Sequence, residues 1–187
     1  MTTFVALLRA VNVSGQNGIP MAELRASMAA SGYDDVRTYL QSGNIVFAAA
    51  AAAAAEQELA AEIHQLIARE FGHDVKALVL TAAELARVAA ANPFLPAARD
   101  TAAVERFSHA TFLEEPAPEA AFAGLALPAQ PEEQAMLAAD GRVIYLYLPH
   151  GYGRTKLNNG YFERHLGAAA TTRNWRTVRA LAEMSAR

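Results

Sequence analysis

Cysteine is missing from all 187 residues. Its absence excludes disulfides, thiol nucleophiles and thiolate metal sites, and it points to a reducing compartment, so the cytoplasm is the expected location. No basic stretch precedes an apolar core at Met1-Thr2-Thr3-Phe4, and Arg9 interrupts the one early apolar run. Neither a signal peptide nor a membrane span is expected. Missing too are the phosphate-loop pattern Gly-x-x-x-x-Gly-Lys-Ser/Thr and the Gly-x-Ser-x-Gly nucleophile elbow, which leaves ATP hydrolysis and serine-hydrolase chemistry without their main support. Ser42, flanked by Gln41 and Gly43, is therefore read as a turn serine. The histidines, at 64, 73, 109, 150 and 165, never stand four apart with a carboxylate between them, so no zinc helix is indicated, and neither a metal nor a cofactor is expected.

What is present is apolar bulk: 53% of the residues are hydrophobic, enough to bury a core in one domain or two small ones. The net charge of −3 is unevenly spread. Residues 1–47 carry three basic and three acidic side chains, residues 48–149 six and fourteen, and residues 150–187 seven and two. A basic end on an acidic protein favours an anionic ligand at that end over duplex binding by the whole surface.

The chain organises around residues 36–47, where β-branched and aromatic residues flank the polar turn Ser42-Gly43-Asn44. This pattern predicts a central hairpin. Before it, Phe4-Val5-Ala6-Leu7-Leu8 predicts a buried strand ending near Arg9 or Val11. Pro20 opens a helix whose stripe is Met21, Leu24 and Met28 and whose stop is Gly32. After it, the alanine run of residues 48–55 leads into Leu59, Ile63, Leu66 and Ile67 at helical spacing, so a second helix is expected to start near Ala52 and to stop at Gly72. Residues 74–80 predict a fourth strand. Strand, helix, strand, strand, helix, strand is the order of a ferredoxin-like plait, an α+β fold with helices packed on one face of an antiparallel sheet.

The first half is complete by Thr81. Thr81-Ala82-Ala83-Glu84 has the spacing of a capping box and opens a helix through Leu85 and Val88 that ends at Asn92-Pro93. Residues 104–113 read as a strand, 116–125 as holding a short helix, and Asp140-Gly141 as the turn of a second hairpin between residues 132–138 and Val143-Ile144-Tyr145-Leu146-Tyr147-Leu148. Asn158 is expected to cap a helix that Gly167 stops. Thr171 or Thr172 is expected to cap a last helix whose core stripe is Trp175, Val178 and Leu181. Ala22-Glu23-Leu24 is echoed by Ala83-Glu84-Leu85.

Leu7-Leu8-Arg9-Ala10-Val11-Asn12-Val13, Ile19-Pro20-Met21-Ala22-Glu23-Leu24, Tyr39-Leu40-Gln41-Ser42-Gly43-Asn44 and Thr171-Thr172-Arg173-Asn174-Trp175 together resemble the bacterial family known as domain of unknown function 1697. The resemblance spans nearly the whole chain. It implies a cytoplasmic protein of two ferredoxin-like (α/β plait) subdomains with no established activity. The expected division is residues 1–81 for the first and residues 82–187 for the second, which carries the basic C-terminal helix. Members of that family usually have glycine where this chain has Ala10 and Ser14.

The chemistry-bearing residues fall into two groups. The first is His150, Arg154 and Lys156, in a loop where two glycines sit beside basic and hydroxyl groups, together with Thr171, Thr172, Arg173 and Asn174, where a cap, a helix N-terminus and a planar guanidinium would favour an oxyanion. The second is Asn12, Gln41, Ser42 and Asn44, polar residues of two early loops. Gly151-Tyr152-Gly153 is similar to the start of an RNA-recognition signature, but the stacking positions that should follow are absent from Arg154-Thr155-Lys156-Leu157. The expected function is recognition of an anionic ligand (a nucleotide, a phosphorylated metabolite or single-stranded nucleic acid) near the C-terminal segment. The alternatives are a small-molecule enzyme acting on a phosphorylated substrate through His150 or Lys156, and a dimeric interaction module without catalysis. No membrane partner is expected, and the protein is expected to act as a monomer or homodimer.

Overall fold

The computed structural model describes residues 1–13, 17–50, 55–95 and 100–187. They divide into two compact units, Met1–Arg87 with Ala180–Arg187, and Val88–Arg179. The first contains β1 (Thr2–Leu8), α1 (Met21–Ala30), β2 (Asp34–Tyr39), β3 (Asn44–Ala49), α2 (Glu56–Phe71) and β4 (Ala77–Thr81). Its sheet is antiparallel throughout in the order β2-β3-β1-β4, the arrangement of a ferredoxin-like plait. Strand alternation sends Phe4, Ala6 and Leu8 to the helix side, where they join Leu24 and Met28 of α1 and Leu59, Ile63, Leu66 and Ile67 of α2 in one buried cluster. Each such side chain stabilises the fold by roughly 1.5–3 kcal/mol through removal of its apolar surface from water. Gly72, with φ of 70°, ends α2 in the left-handed conformation that glycine adopts without strain.

A helix, α3 (Ala82–Ala90), follows β4 without a break. The capping box is as expected: Glu84 N donates to Thr81 Oγ1 at 3.1 Å, and Thr81 N donates to Glu84 Oε2 at 2.9 Å. The second unit repeats the plan with β5 (Ser108–Leu113), α5 (Glu119–Ala123), β6 (Gln134–Leu137), β7 (Val143–Tyr147), α6 (Asn159–Leu166) and β8 (Ala170–Asn174), preceded by α4 (Thr101–Phe107). Its sheet order is β6-β7-β5-β8, again antiparallel. Leu113, Ile144, Leu146, Phe162 and Ala170 form its helix-side core. The second hairpin turns at Gly141, φ 72°, where a Cβ would lie 2.6 Å from Ala117 O. A last helix, α7 (Trp175–Ser185), follows β8 directly; its residues up to Arg179 belong to the second unit and those from Ala180 to the first.

Four expectations are corrected. The first hairpin is only half central, because β2 is an edge strand and β3 alone lies inside the sheet. The first strand stops at Leu8, because the backbone turns into the left-handed region at Ala10, φ 53°. Residues 104–107 are helical: the Asp100 side chain caps α4 by accepting from Ala103 N at 3.0 Å, and the strand begins only at Ser108. Thr171 and Thr172 cap nothing, since both lie in β8, and Asn174 takes that role by accepting from Thr177 N at 2.9 Å. The expected helix start near Ala52 lies outside the described residues, as does Ser14; α2 is described from Glu56. The Ala22-Glu23-Leu24 echo joins α1 to α3, elements that are not counterparts.

Candidate ligand site

The two sheets can be compared position by position, because in each the residue ending the last strand caps the next helix. Thr81 pairs with Phe4 and Asn174 pairs with His109. Counting from those pairs, Phe4 corresponds to His109, Ala6 to Thr111, Val79 to Thr172 and Leu80 to Arg173. Four buried apolar positions of the first ladder are therefore polar in the second.

Each polar group is held in a definite way. Thr172 Oγ1 donates to Asn159 Oδ1 at 2.6 Å, which leaves Thr111 as the donor into Thr172 Oγ1 at 2.8 Å. This short chain fixes Asn159 at the start of α6 with its amide oxygen turned to β8. The His109 ring stacks on Tyr152 with centroids 5.3 Å apart, and its Nδ1 lies 3.2 Å from Phe107 O. Burial lowers the His109 pKa from 6.5, with the Phe107 carbonyl opposing weakly, so the ring is neutral at physiological pH. Arg173 donates to Thr171 Oγ1 at 2.8 Å and to Thr172 O at 3.0 Å. Burial pushes its guanidinium down to about 10, still charged at neutral pH, while Tyr152 favours the charged form.

Strand alternation splits the expected Thr171 to Asn174 constellation. Thr171 and Arg173 leave one face of the sheet, Thr172 and Asn174 the other, so the four do not converge on an oxyanion as a helix cap would make them. The glycine loop, by contrast, is brought to them. Leu148 N donates to Phe107 O at 3.0 Å, which sets the loop after β7 beside the start of β5, and the 3₁₀ turn Tyr152–Arg154 then crosses His109. Within that loop His150 is exposed and donates from Nε2 to Pro131 O at 3.1 Å. Arg154 and Lys156 are exposed, and Gln130 Nε2 ties down the Arg154 carbonyl at 2.7 Å. Thr155, buried between Arg154 and Lys156, donates to Glu133 Oε2 at 3.0 Å.

The second group lies in the first unit and is used internally. Asn12 Nδ2 donates to Ile19 O at 2.9 Å and to Gln41 O at 2.8 Å, while its Oδ1 accepts from Ile19 N at 2.9 Å. Asn44 is fully buried and donates from Nδ2 to Tyr39 O and Ser42 Oγ, both at 3.0 Å. These residues stitch the first loop to the hairpin turn. Gly43 belongs to the same stitch, since a Cβ there would lie 2.6 Å from Leu8 Cβ.

Residues 1–145 match the model of the family described as "Protein of unknown function (DUF1697)". The chain belongs to that family. A solved structure supports the architecture: that of a conserved bacterial protein from Streptococcus pneumoniae is similar at a TM-score of 0.69 and 23% identity, covering 98% of each chain. At that identity the likeness carries the fold. No match was found among curated proteins. The stretch of DUF1697 similarity ends before the 150–174 loop and strand, so the cluster above stands on its own geometry. No helix among the described residues is long and apolar enough to cross a membrane, and they hold no group of three or more potential metal ligands.

His109, Thr111, Asn159 and Tyr152 were not singled out by the sequence as site residues. The available signal was Ser108-His109-Ala110-Thr111-Phe112-Leu113, a strand whose alternate positions are polar on the side that should pack under helices.

Proposed function

We propose that this protein binds an anionic small molecule, phosphorylated by preference, at the end of the second plait where β5 begins, β8 ends and the glycine loop crosses. The observation that carries this reading is Arg173, a half-buried guanidinium at the position where the first ladder has Leu80. Its bonds to Thr171 Oγ1 and Thr172 O hold the guanidinium in place, and a planar, pre-positioned donor suits an oxyanion. Support comes from His150, Arg154 and Lys156 on the adjoining loop and from the seven basic against two acidic residues of the segment 150–187. Thr171 and Thr172 position the guanidinium and Asn159, and Asn174 holds α7. The lack of cysteine favours a cytoplasmic setting for such a ligand.

The test is calorimetric titration of the protein and its Arg173→Ala and Lys156→Ala variants with inorganic phosphate, nucleotides and short single strands. The expected result is binding of a phosphorylated small molecule, weakened about tenfold or more by each substitution, the loss of a charge-assisted contact. Absence of binding by the parent protein to every probe overturns the reading; tightest binding to single strands replaces the small molecule by nucleic acid.

A further inference from the structure

β6 ends the second sheet and pairs with β7 alone. Which of its backbone groups face outward follows from one bond, donated by Ala138 N to Val143 O at 2.7 Å. Hydrogen-bonded and non-bonded pairs alternate along an antiparallel ladder, and Leu137 pairs with Ile144 and Met136 with Tyr145. Gln134, Met136 and Ala138 therefore turn their backbone groups toward β7, while Ala135 and Leu137 turn theirs away from it. The side chains alternate in step: those of Ala135 and Leu137 pack on the helix-side core, and Met136 leaves the other face, 47% exposed. The matching edge of the first plait is blunted, because β2 carries Asp34, Asp35 and Arg37 and its register shifts between Asp34 and Arg37. β6, with the sequence Gln-Ala-Met-Leu, has no charge and an unbroken register.

Such an edge complements itself. The outward-facing residues stand on either side of Met136, so a two-fold axis at Met136 sets Ala135 against Leu137 of a second copy and Leu137 against its Ala135, each pair exchanging N–H and C=O. Met136 then meets its own copy in a non-hydrogen-bonded pair, the closer kind, on the face where each is exposed. The charges agree. Exposed near the Gln134 end are Arg154, Lys156 and Glu132, the two cations brought there by the bonds from Gln130 Nε2 to Arg154 O and from Thr155 Oγ1 to the buried Glu133. At the turn end are Asp140 and, on the segment that Ala117 N joins to Gly141 O, Glu115 and Glu119, set against the half-buried Arg142. Antiparallel pairing lays the basic end of one copy on the acidic end of the other. Glu132 meets Asp140 of the second copy outside the strands, where Arg154 and Lys156 offset the like charges.

We propose that β6 is a dimer interface, pairing antiparallel with β6 of a second copy about a two-fold axis at Met136 and joining the two four-stranded sheets into one. The chain has no cysteine, so Met136→Cys places a single thiol on the intact protein. A non-hydrogen-bonded pair holds its Cα atoms about 4.5 Å apart, within disulfide reach. Gln134→Cys, on the same face but two residues off the axis, lies roughly 13 Å from its copy. Under mild oxidation Met136→Cys is expected to form linked dimers about tenfold faster or more than Gln134→Cys. Light scattering is expected to show the parent passing from monomer to dimer as its concentration rises from micromolar to millimolar. Ala135→Pro, which removes an outward N–H and no bond to β7, should weaken that association about tenfold or more. A parent that stays monomeric across the range overturns the proposal. Equal linking rates for the two thiols overturn it as well, as does a dimer unchanged in a folded Ala135→Pro, since either result puts the contact on another surface.

Discussion

The two plaits share strand order, ladder register and a helix capped by the residue that ends the last strand, yet they fill the same ladder differently. Phe4, Ala6, Val79 and Leu80 in the first are all buried, whereas His109, Thr111, Thr172 and Arg173 stand at the matching places in the second. The difference teaches that this topology needs apolar residues at only some of its ladder positions. The hydroxyl chain from Thr111 through Thr172 to Asn159 satisfies its own hydrogen bonds, and a satisfied buried polar group costs little. The second plait thus carries polar chemistry inside a frame that the first shows to be stable without it.

The sharpest break in the comparison lies just after the caps, where the first plait begins its trailing helix with Ala82 and the second with the fully buried Trp175. Trp175→Ala should destabilise the protein by about 3–5 kcal/mol in denaturant unfolding. A change below about 0.5 kcal/mol would mark the indole as dispensable. Next comes the second hairpin, where Gly141→Ala forces a Cβ against the Ala117 carbonyl, a backbone atom that cannot turn aside, at φ 72°. The expected cost is about 2 kcal/mol or more, against a smaller one for Gly32→Ala, which has the same kind of φ but nothing within 4 Å of its Cβ. Equal melting shifts for the two would contradict the close approach. Thr81→Ala and Asn174→Ala should each cost about 1 kcal/mol, as caps do; an effect at only one would show that the two trailing helices are not held alike.

The smallest effect concerns pH. Because burial holds the His109 pKa below its ordinary 6.5, the unfolded chain binds a proton there before the folded one does. The stability tied to the neutral ring is intact above that pH and is lost as the pH falls below it. His109→Phe should therefore lose less stability than the parent on the acid side of about pH 6.5. Parallel stability curves for the two proteins would contradict a buried neutral imidazole.

Period and punctuation carried most of the fold in the sequence. Leu59, Ile63, Leu66 and Ile67 marked α2, Thr81 with Glu84 marked the start of α3, and Asn158 with Gly167 bracketed α6, because each of these signals is local and obeys one rule. Where two local rules competed, the reading failed. Thr171 and Thr172 are good caps and also good strand residues, and pairing with Phe112 and Thr111 decides for the strand. Val104 drew residues 104–107 toward a strand, while the Asp100 cap three residues before Ala103 set a helix. The candidate site was less legible still. Arg173 was visible as a cation, but His109 and Tyr152 are 43 residues apart in sequence and meet only through the β5–β7 ladder.

Residues 180–187 belong with the first unit although they follow the second in sequence, and Arg37 Nη1 donates to Met184 O at 2.8 Å across a separation of 147 positions. During synthesis the N-terminal plait therefore waits, incomplete, until nearly the whole second plait has emerged. So distant a contact raises the entropic cost of closing the unit and slows its completion. Cleavage after Arg179 would loosen β2, far earlier in the sequence, while leaving β5 and β8 intact.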